Sequence, residues 1–265
     1  MTLILTHINR YGIVHASDSN LTSSNNKDAG TGQKTFPITY LKAGLTVAGA
    51  YSVSGTSMDK WMNEFIQRQQ TERNVTLESF SNKLKAELQA KMNPTEKMRG
   101  SLIQVAGYVE IENLSHPEFW FISNIHGINE TTGEYENVDE TFAISEDFWN
   151  RDCPQAHLME AFKDENNFSW QYYINGFSPG RIGYNVVAKK LDSFFSEIWS
   201  VKEWKFRQPK SLEEVEILVK LYMKAINDLF LLSDYSTKVI GGETQTHLIK
   251  RPDNITNKSK DLTIK

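Results

Sequence analysis

The sequence predicts an α+β protein built on antiparallel sheets, with its helices gathered into two separate stretches of the chain. Three observations predict it. Alternating β-branched runs fill the chain up to Gly49, two amphipathic helical patterns follow, and a second round of strands, helices and a final strand completes the order.

From Thr2 to about Ala16 apolar and β-branched residues alternate on either side of Asn9-Arg10-Tyr11-Gly12, which reads as a hairpin turn. Residues 19–33 are rich in Ser, Asn and Gly and read as a loop, and Thr35 to Gly49 gives two more strands around Lys42-Ala43-Gly44. A helix is expected over about Thr56 to Gln70, because Met58, Trp61, Met62, Phe65 and Ile66 share one face, with Thr56 and Asp59 as a capping box. A second, from about Leu77 to Lys91, carries Leu77, Phe80, Leu84 and Leu88 on one stripe and stops before Pro94. Strands return at Ser101 to Glu112 and Pro117 to His126, a turn follows over Gly127 to Gly133, and a further strand is expected at Thr141 to Ile144. Residues 145–170 are mixed and polar and read as an irregular or short-helical excursion. After a strand-like run from Trp170 to Ile174, helices are expected over about Arg181 to Ile198 and Leu212 to Leu232, then a last strand at Thr244 to Ile249. No repeat and no hinge-like linker divides residues 1–251, which read as a single domain, and residues 252–265 read as a frayed tail.

Composition narrows the function. The 265 residues are 39% hydrophobic and 23% charged, ordinary values for a folded globular chain. A net charge of −4, with scattered Lys and Arg, argues against nucleic-acid binding. The single cysteine, Cys153, forms no intrachain disulfide and no multi-cysteine zinc site, which suits a reducing cytoplasm. No stretch approaches the roughly 20 apolar residues of a membrane span, so no membrane partner is expected. The six histidines have no metal-ligand spacing, and no phosphate loop or dinucleotide fingerprint occurs, so no cofactor is implied.

The residues that carry chemistry are evenly spaced. Thr2, Asp18 in Ala16-Ser17-Asp18-Ser19, and Lys34 follow one another at intervals of sixteen residues, and Ala48-Gly49-Ala50 then closes a strand just before the first helix. This pattern resembles the β subunit of the proteasome and its bacterial relative, the peptidase of an ATP-dependent two-component protease, both N-terminal-nucleophile hydrolases. The match is specific over residues 2–65, with one extra residue between Lys34 and Gly49. The resemblance implies a four-layer αββα sandwich, and a catalytic Thr2 uncovered by removal of Met1. It also implies Asp18 and Lys34 as its charged supports and the N–H of Gly49 in an oxyanion hole. Ser178 is the residue that corresponds to a serine near the threonine amine.

The chemistry fits those residue types. A threonine hydroxyl attacks a carbonyl only when a base takes its proton, and a free α-amine on the same residue is a base of suitable strength. A nearby ammonium lowers the cost of the developing negative oxygen, and an aspartate holds that ammonium in place. The resemblance further implies a peptide or related amide substrate, assembly into a homo-oligomer such as a ring, and an ATP-driven unfoldase as a possible partner. It places Val47 at the specificity pocket.

Two other readings stand beside this one. Ile240 and Thr237 occupy places where the family has a serine and an aspartate that support the threonine, a departure that bears on the fine tuning of Thr2, with Asp234 and Ser236 a few residues upstream as substitutes. A retained Met1, which would acylate the amine, is what a catalytically inactive scaffold or assembly protein would carry. Gly176-Phe177-Ser178-Pro179-Gly180 matches a nucleophile elbow, with Asp234 and His247 following in the order of a serine hydrolase. Pro179, however, has no N–H to give an oxyanion.

Overall fold

The computed structural model describes residues 2–22, 28–111, 114–128, 135–145, 170–176, 189–232 and 240–252. The chain opens with β1 (Leu3–Asn9) and β2 (Gly12–Ser17), the expected hairpin. The segment expected to be a loop then carries a short ribbon of β3 (Asn20–Thr22) and β4 (Asp28–Thr31). Next come β5 (Thr35–Ile38), β6 (Ala43–Gly49), and a tight pair of β7 (Ser52–Val53) with β8 (Thr56–Ser57). The helices α1 (Met58–Gln70) and α2 (Leu77–Lys91) follow, then one turn of α3 (Pro94–Lys97). The rest is β9 (Ser101–Ile111), β10 (Leu114–Ile128), β11 (Tyr135–Ser145), β12 (Trp170–Gly176), α4 (Lys189–Ser200), α5 (Leu212–Leu231) and β13 (Gln245–Lys250). The excursion over residues 146–169, the expected helix start at 181–188 and the tail from 253 lie outside the described residues.

The fold is a mixed α+β arrangement of antiparallel sheets. One sheet runs β12-β1-β2-β13 and a second runs β11-β10-β9-β6-β5, with every neighbouring pair antiparallel. Strand alternation sorts their side chains into three cores. Leu45 and Val47 of β6, with Ile103 and Val105 of β9, pack with Trp61 and Phe65 of α1 and Leu84 of α2. Leu3, Leu5, Val14 and Ala16 pack with Val215, Val219 and Tyr222 of α5. The alternate residues of both sheets form the third core: Ile4, Ile8 and Ile13 from one, Ala48, Leu102 and Ala106 from the other.

Helix boundaries differ from the sequence reading where backbone supplied what a side chain was expected to supply. The Thr56–Asp59 capping box does not form. Thr56 pairs with Val53 in the β7–β8 hairpin, Ser57 is the N-cap without a side-chain bond, and the Met58 N–H is taken by the Tyr51 carbonyl at 3.1 Å. By contrast α2 has a reciprocal box between Thr76 and Ser79, and α3 has another between Asn93 and Glu96 with Pro94 at its first position. Pro94 thus starts a turn of helix as well as ending the previous one.

A polar seam crosses the core between the sheets. Thr6 donates to Gln104 Oε1 at 2.6 Å and meets His15 Nδ1 at 2.9 Å, while His247 stands opposite His15 in the β2–β13 pairing. Gly44 lies against this pair, because a Cβ there would fall 2.7 Å from the His247 ring and 2.8 Å from the His15 ring. Burial pushes both His7 and His15 down to about 3, and His247 adds to the effect on His15.

A folded-state value below the unfolded 6.5 means that these neutral histidines support the fold fully above pH 6.5 and lose that contribution as the pH falls toward 3. Urea unfolding followed against pH should show stability falling across that window. Each histidine contributes a slope of up to about 1.4 kcal/mol per pH unit. A His15→Gln variant should show a shallower fall than the parent, and an identical slope would refute the assignment.

Candidate active site

Three segments converge on Asp18. Its carboxylate accepts the Leu3 N–H on Oδ1 at 2.9 Å and the Gly241 N–H on Oδ2 at 3.2 Å, and Lys34 Nζ sits 3.1 Å from Oδ1. The Asp18 N–H returns a bond to the Leu3 carbonyl at 3.1 Å, so the ends of β1 and β2 are locked together one residue beyond Thr2. Lys34 also donates to the Asn20 carbonyl. The three residues spaced evenly in sequence are all buried, Thr2 at 5% exposure, Asp18 at 4% and Lys34 at 1%.

Burial dominates the electrostatics of the pair. It pushes the Asp18 carboxyl above its ordinary value and the Lys34 ammonium below its own, while their mutual attraction opposes both changes. The Leu3 and Gly241 N–H groups work in the same direction as Lys34 on Asp18, favouring the carboxylate.

Gly49 ends β6 with φ at +95°, and an added Cβ would lie 2.2 Å from the Gly100 carbonyl oxygen, so no other residue fits there without a backbone shift. The N–H groups of β6 alternate in direction. Ala50 N–H bonds Gly100 O on the β9 side at 2.7 Å, whereas Val47 N–H bonds Lys34 O at 2.9 Å on the other. Gly49 N–H therefore faces the side on which Lys34 lies.

Gln245 is a site-building residue that the sequence reading missed. Its Oε1 accepts the Lys34 N–H at 2.7 Å and the Thr35 N–H at 3.3 Å, and its Nε2 donates to the Gly32 carbonyl at 2.8 Å. One side chain of β13 thereby fixes the chain on both sides of Lys34. Its visible signal was a polar residue at the start of an otherwise half-apolar strand, which alone does not reveal a partner two hundred residues away in sequence. Gly241, just before β13, is the residue whose N–H reaches Asp18 Oδ2.

Other expected residues sit elsewhere. Val47 is buried with α1 and α2 on the opposite face of β6 from Ala48, so its side chain belongs to a core. Ser178, Asp234 and Thr237 lie outside the described residues, although Gly176, which ends β12, pairs with Leu3. Ile240 is buried against α5. A cavity of about 210 Å³ opens beside Asp18, bounded by Met223, Asn227, Gly241 and Thr244. Among the described residues no group of three or more His, Cys, Asp or Glu side chains is placed to hold a metal ion, and no helix is long and apolar enough to cross a membrane.

No protein-family model matches the chain, and no curated protein matches it. Among solved structures it is similar to a Gly-1 mutant of Anbu from Hyphomicrobium sp. strain MC1, with 12% identity over 95% of this chain and 83% of that one and a TM-score of 0.49.

Replacing Gln245 by Leu removes the acceptor for two backbone N–H groups beside Lys34 and should cost at least about 2 kcal/mol. Thermal or urea unfolding measures this, and a loss below about 0.5 kcal/mol would show that water takes over its bonds.

Proposed function

We propose that this chain is a threonine-type hydrolase of peptide or related amide bonds, with a proteasome-like N-terminal-nucleophile site at Thr2. The observation that carries the reading is the buried Asp18–Lys34 pair tied directly to the backbone of the residue after Thr2. A lysine ammonium is costly to bury, and here it is paired with the aspartate that holds the N–H of Leu3, the residue after the candidate nucleophile.

In this mechanism removal of Met1 frees the Thr2 α-amine. The amine takes the hydroxyl proton as Oγ1 attacks the scissile carbonyl, the positive charge of Lys34 stabilises the developing oxygen charge, and the Gly49 N–H donates a hydrogen bond to the oxyanion. The protonated amine then returns its proton to the leaving amine, which departs and leaves an acyl ester on Thr2. Water hydrolyses the ester, with the amine again acting as base. Ser178 stands near the amine in this reading and tunes it.

The three cores described above support the finer architecture: two helix layers enclosing two sheets, an αββα sandwich formed by residues 1–251 as one domain. Assembly with further copies, supply of substrate by an ATP-driven unfoldase, and a cytoplasmic setting belong to the same proposal.

The test is the intact mass of the protein from its native host, before and after a β-lactone that acylates N-terminal threonines, followed by peptide mapping. Loss of Met1 with an adduct on Thr2 is the expected result. Thr2→Ala should abolish labelling, Lys34→Ala should slow it by about 10²-fold or more, and Ser178→Ala should still label. A retained Met1 without adduct would overturn the reading in favour of an inactive scaffold, and labelling lost only in Ser178→Ala would point to the serine hydrolase.

A further inference from the structure

Residues 201–210 join α4 to α5 and differ in character from the rest of the chain. They make one 3-10 turn, Lys202–Trp204, which Lys205 closes in the left-handed region at φ +56°, and then run irregularly to the α5 cap at Ser211. In a chain of net charge −4 they carry four cations, Lys202, Lys205, Arg207 and Lys210, against one acid, Glu203. Among the cations stand Trp204 and Phe206, 56% and 62% exposed. Aromatic rings gain much by leaving water, so two of them exposed among cations ask for cover.

The segment is anchored. The Tyr11 hydroxyl of the β1–β2 turn donates to the Pro209 carbonyl at 3.2 Å, and Arg207 donates to both Glu214 oxygens at 2.6 and 2.7 Å. Lys202, Lys205 and Lys210 are exposed. A cavity of about 510 Å³ opens between this connection, the end of α4 and the hairpin turn, bordered by Arg10, Tyr11, Trp199, Phe206, Arg207 and Lys210. It lies at the Asn9 end of β1, away from Thr2 at the other.

Each kind of partner makes its own demand. A peptide needs a strand edge or an apolar helix groove to receive it, and residues 205–210 are neither strand nor helix. Single-stranded nucleic acid needs ring faces on which bases stack, whereas at this cavity Trp199 is stacked on Phe195 at 5.8 Å and Arg10 lies over Tyr11 at 5.5 Å. An anionic bilayer surface asks only for cations at the level of its phosphates and aromatic rings just beneath them, the composition found here. A contact of that kind lies on the membrane and needs no spanning segment.

We propose that residues 201–210 form a docking surface for an anionic phospholipid bilayer. The cavity beside Lys210 receives a lipid phosphate, Trp204 and Phe206 enter the headgroup layer, and Lys202 and Lys205 add attraction at longer range. The surface stands or falls independently of catalysis at Thr2.

Cosedimentation of the full chain with vesicles tests it, with far-UV circular dichroism confirming that the exposed substitutions leave the fold intact. The chain should sediment with vesicles of phosphatidylcholine and phosphatidylglycerol in equal parts and stay in solution with phosphatidylcholine alone. Added salt should release it, because surface attraction is screened within about 8 Å at physiological ionic strength. Lys205→Ala with Lys210→Ala should lower partitioning into the anionic vesicles about 30-fold. Trp204→Ala with Phe206→Ala should lower it at least about tenfold. Equal binding to both kinds of vesicle, or binding to neither, would overturn the proposal, as would anionic binding unchanged in both double variants. Displacement from the vesicles by inorganic phosphate would reassign the cavity to a free phosphate ligand, and tighter binding to polyglutamate than to vesicles would reassign the surface to an acidic protein; either result overturns the proposal.

Discussion

The ammonium of Lys34, at 1% exposure, sets the terms for the backbone around it. An unpaired ion so placed would cost several kcal/mol, and only a carboxylate with good geometry offsets that. Asp18 supplies it, but a buried carboxylate has further lone pairs to satisfy, and the N–H groups of Leu3 and Gly241 take them. The demand then passes to the Lys34 backbone, which Gln245 holds on one side and Val47 N–H on the other. Both sheets and the segment before β13 are fixed by one chain of obligations that begins with a single charge. Truncating Lys34 alone would leave Asp18 buried without its partner, a change of about 3 to 5 kcal/mol.

The seam between the sheets extends the same logic. Ile4, Ile8 and Ile13 would pack against Ala48, Leu102 and Ala106 in more than one offset, since apolar contacts carry little direction. Thr6, His15 and Gln104 accept only one, because Gln104 must receive the Thr6 hydroxyl while its amide reaches the carbonyl of Tyr173 at 3.3 Å. In a strand a slip of one residue exchanges the two faces, so a few directional bonds fix the offset for the whole sheet. The cost is the acid sensitivity of the neutral histidines held there.

Much of the strand and helix order was legible in the sequence because alternation and helical spacing are local. β1, β2, α2 and β13 fall where their patterns put them, as does the outer boundary of α5 within a residue. The β3–β4 ribbon escaped notice because its residues are polar on both faces, and its pairing depends on Gly32 N–H meeting Ser19 O rather than on burial. The site divides in the same way. Asp18 and Lys34 were legible through their spacing, and the structure brings them to 3.1 Å. Gln245 contributes through contacts more than two hundred residues away along the chain and Asn20 through its backbone carbonyl, neither of which a side-chain pattern encodes. For Val47, a strand position says which residues share a face, and only the packing of α1 and α2 says that its face is covered.

Geometry between a hydroxyl and a base does not by itself identify a nucleophile, and Thr6 makes the point. Its Oγ1 stands 2.9 Å from His15 Nδ1, a pairing that would suit general-base activation if distance were the criterion. Thr6 and His15 are both wholly buried, however, and the Thr6 proton is already committed to Gln104. Burial also holds His15 near 3, which makes it a weak base at neutral pH. Thr2, buried at 5% exposure, precedes the first residue of β1, the strand of Thr6, beside the Leu3 N–H that Asp18 holds. A nucleophile needs access to substrate as well as a base, and the Thr6–His15 pair has neither an open side nor a base of suitable strength.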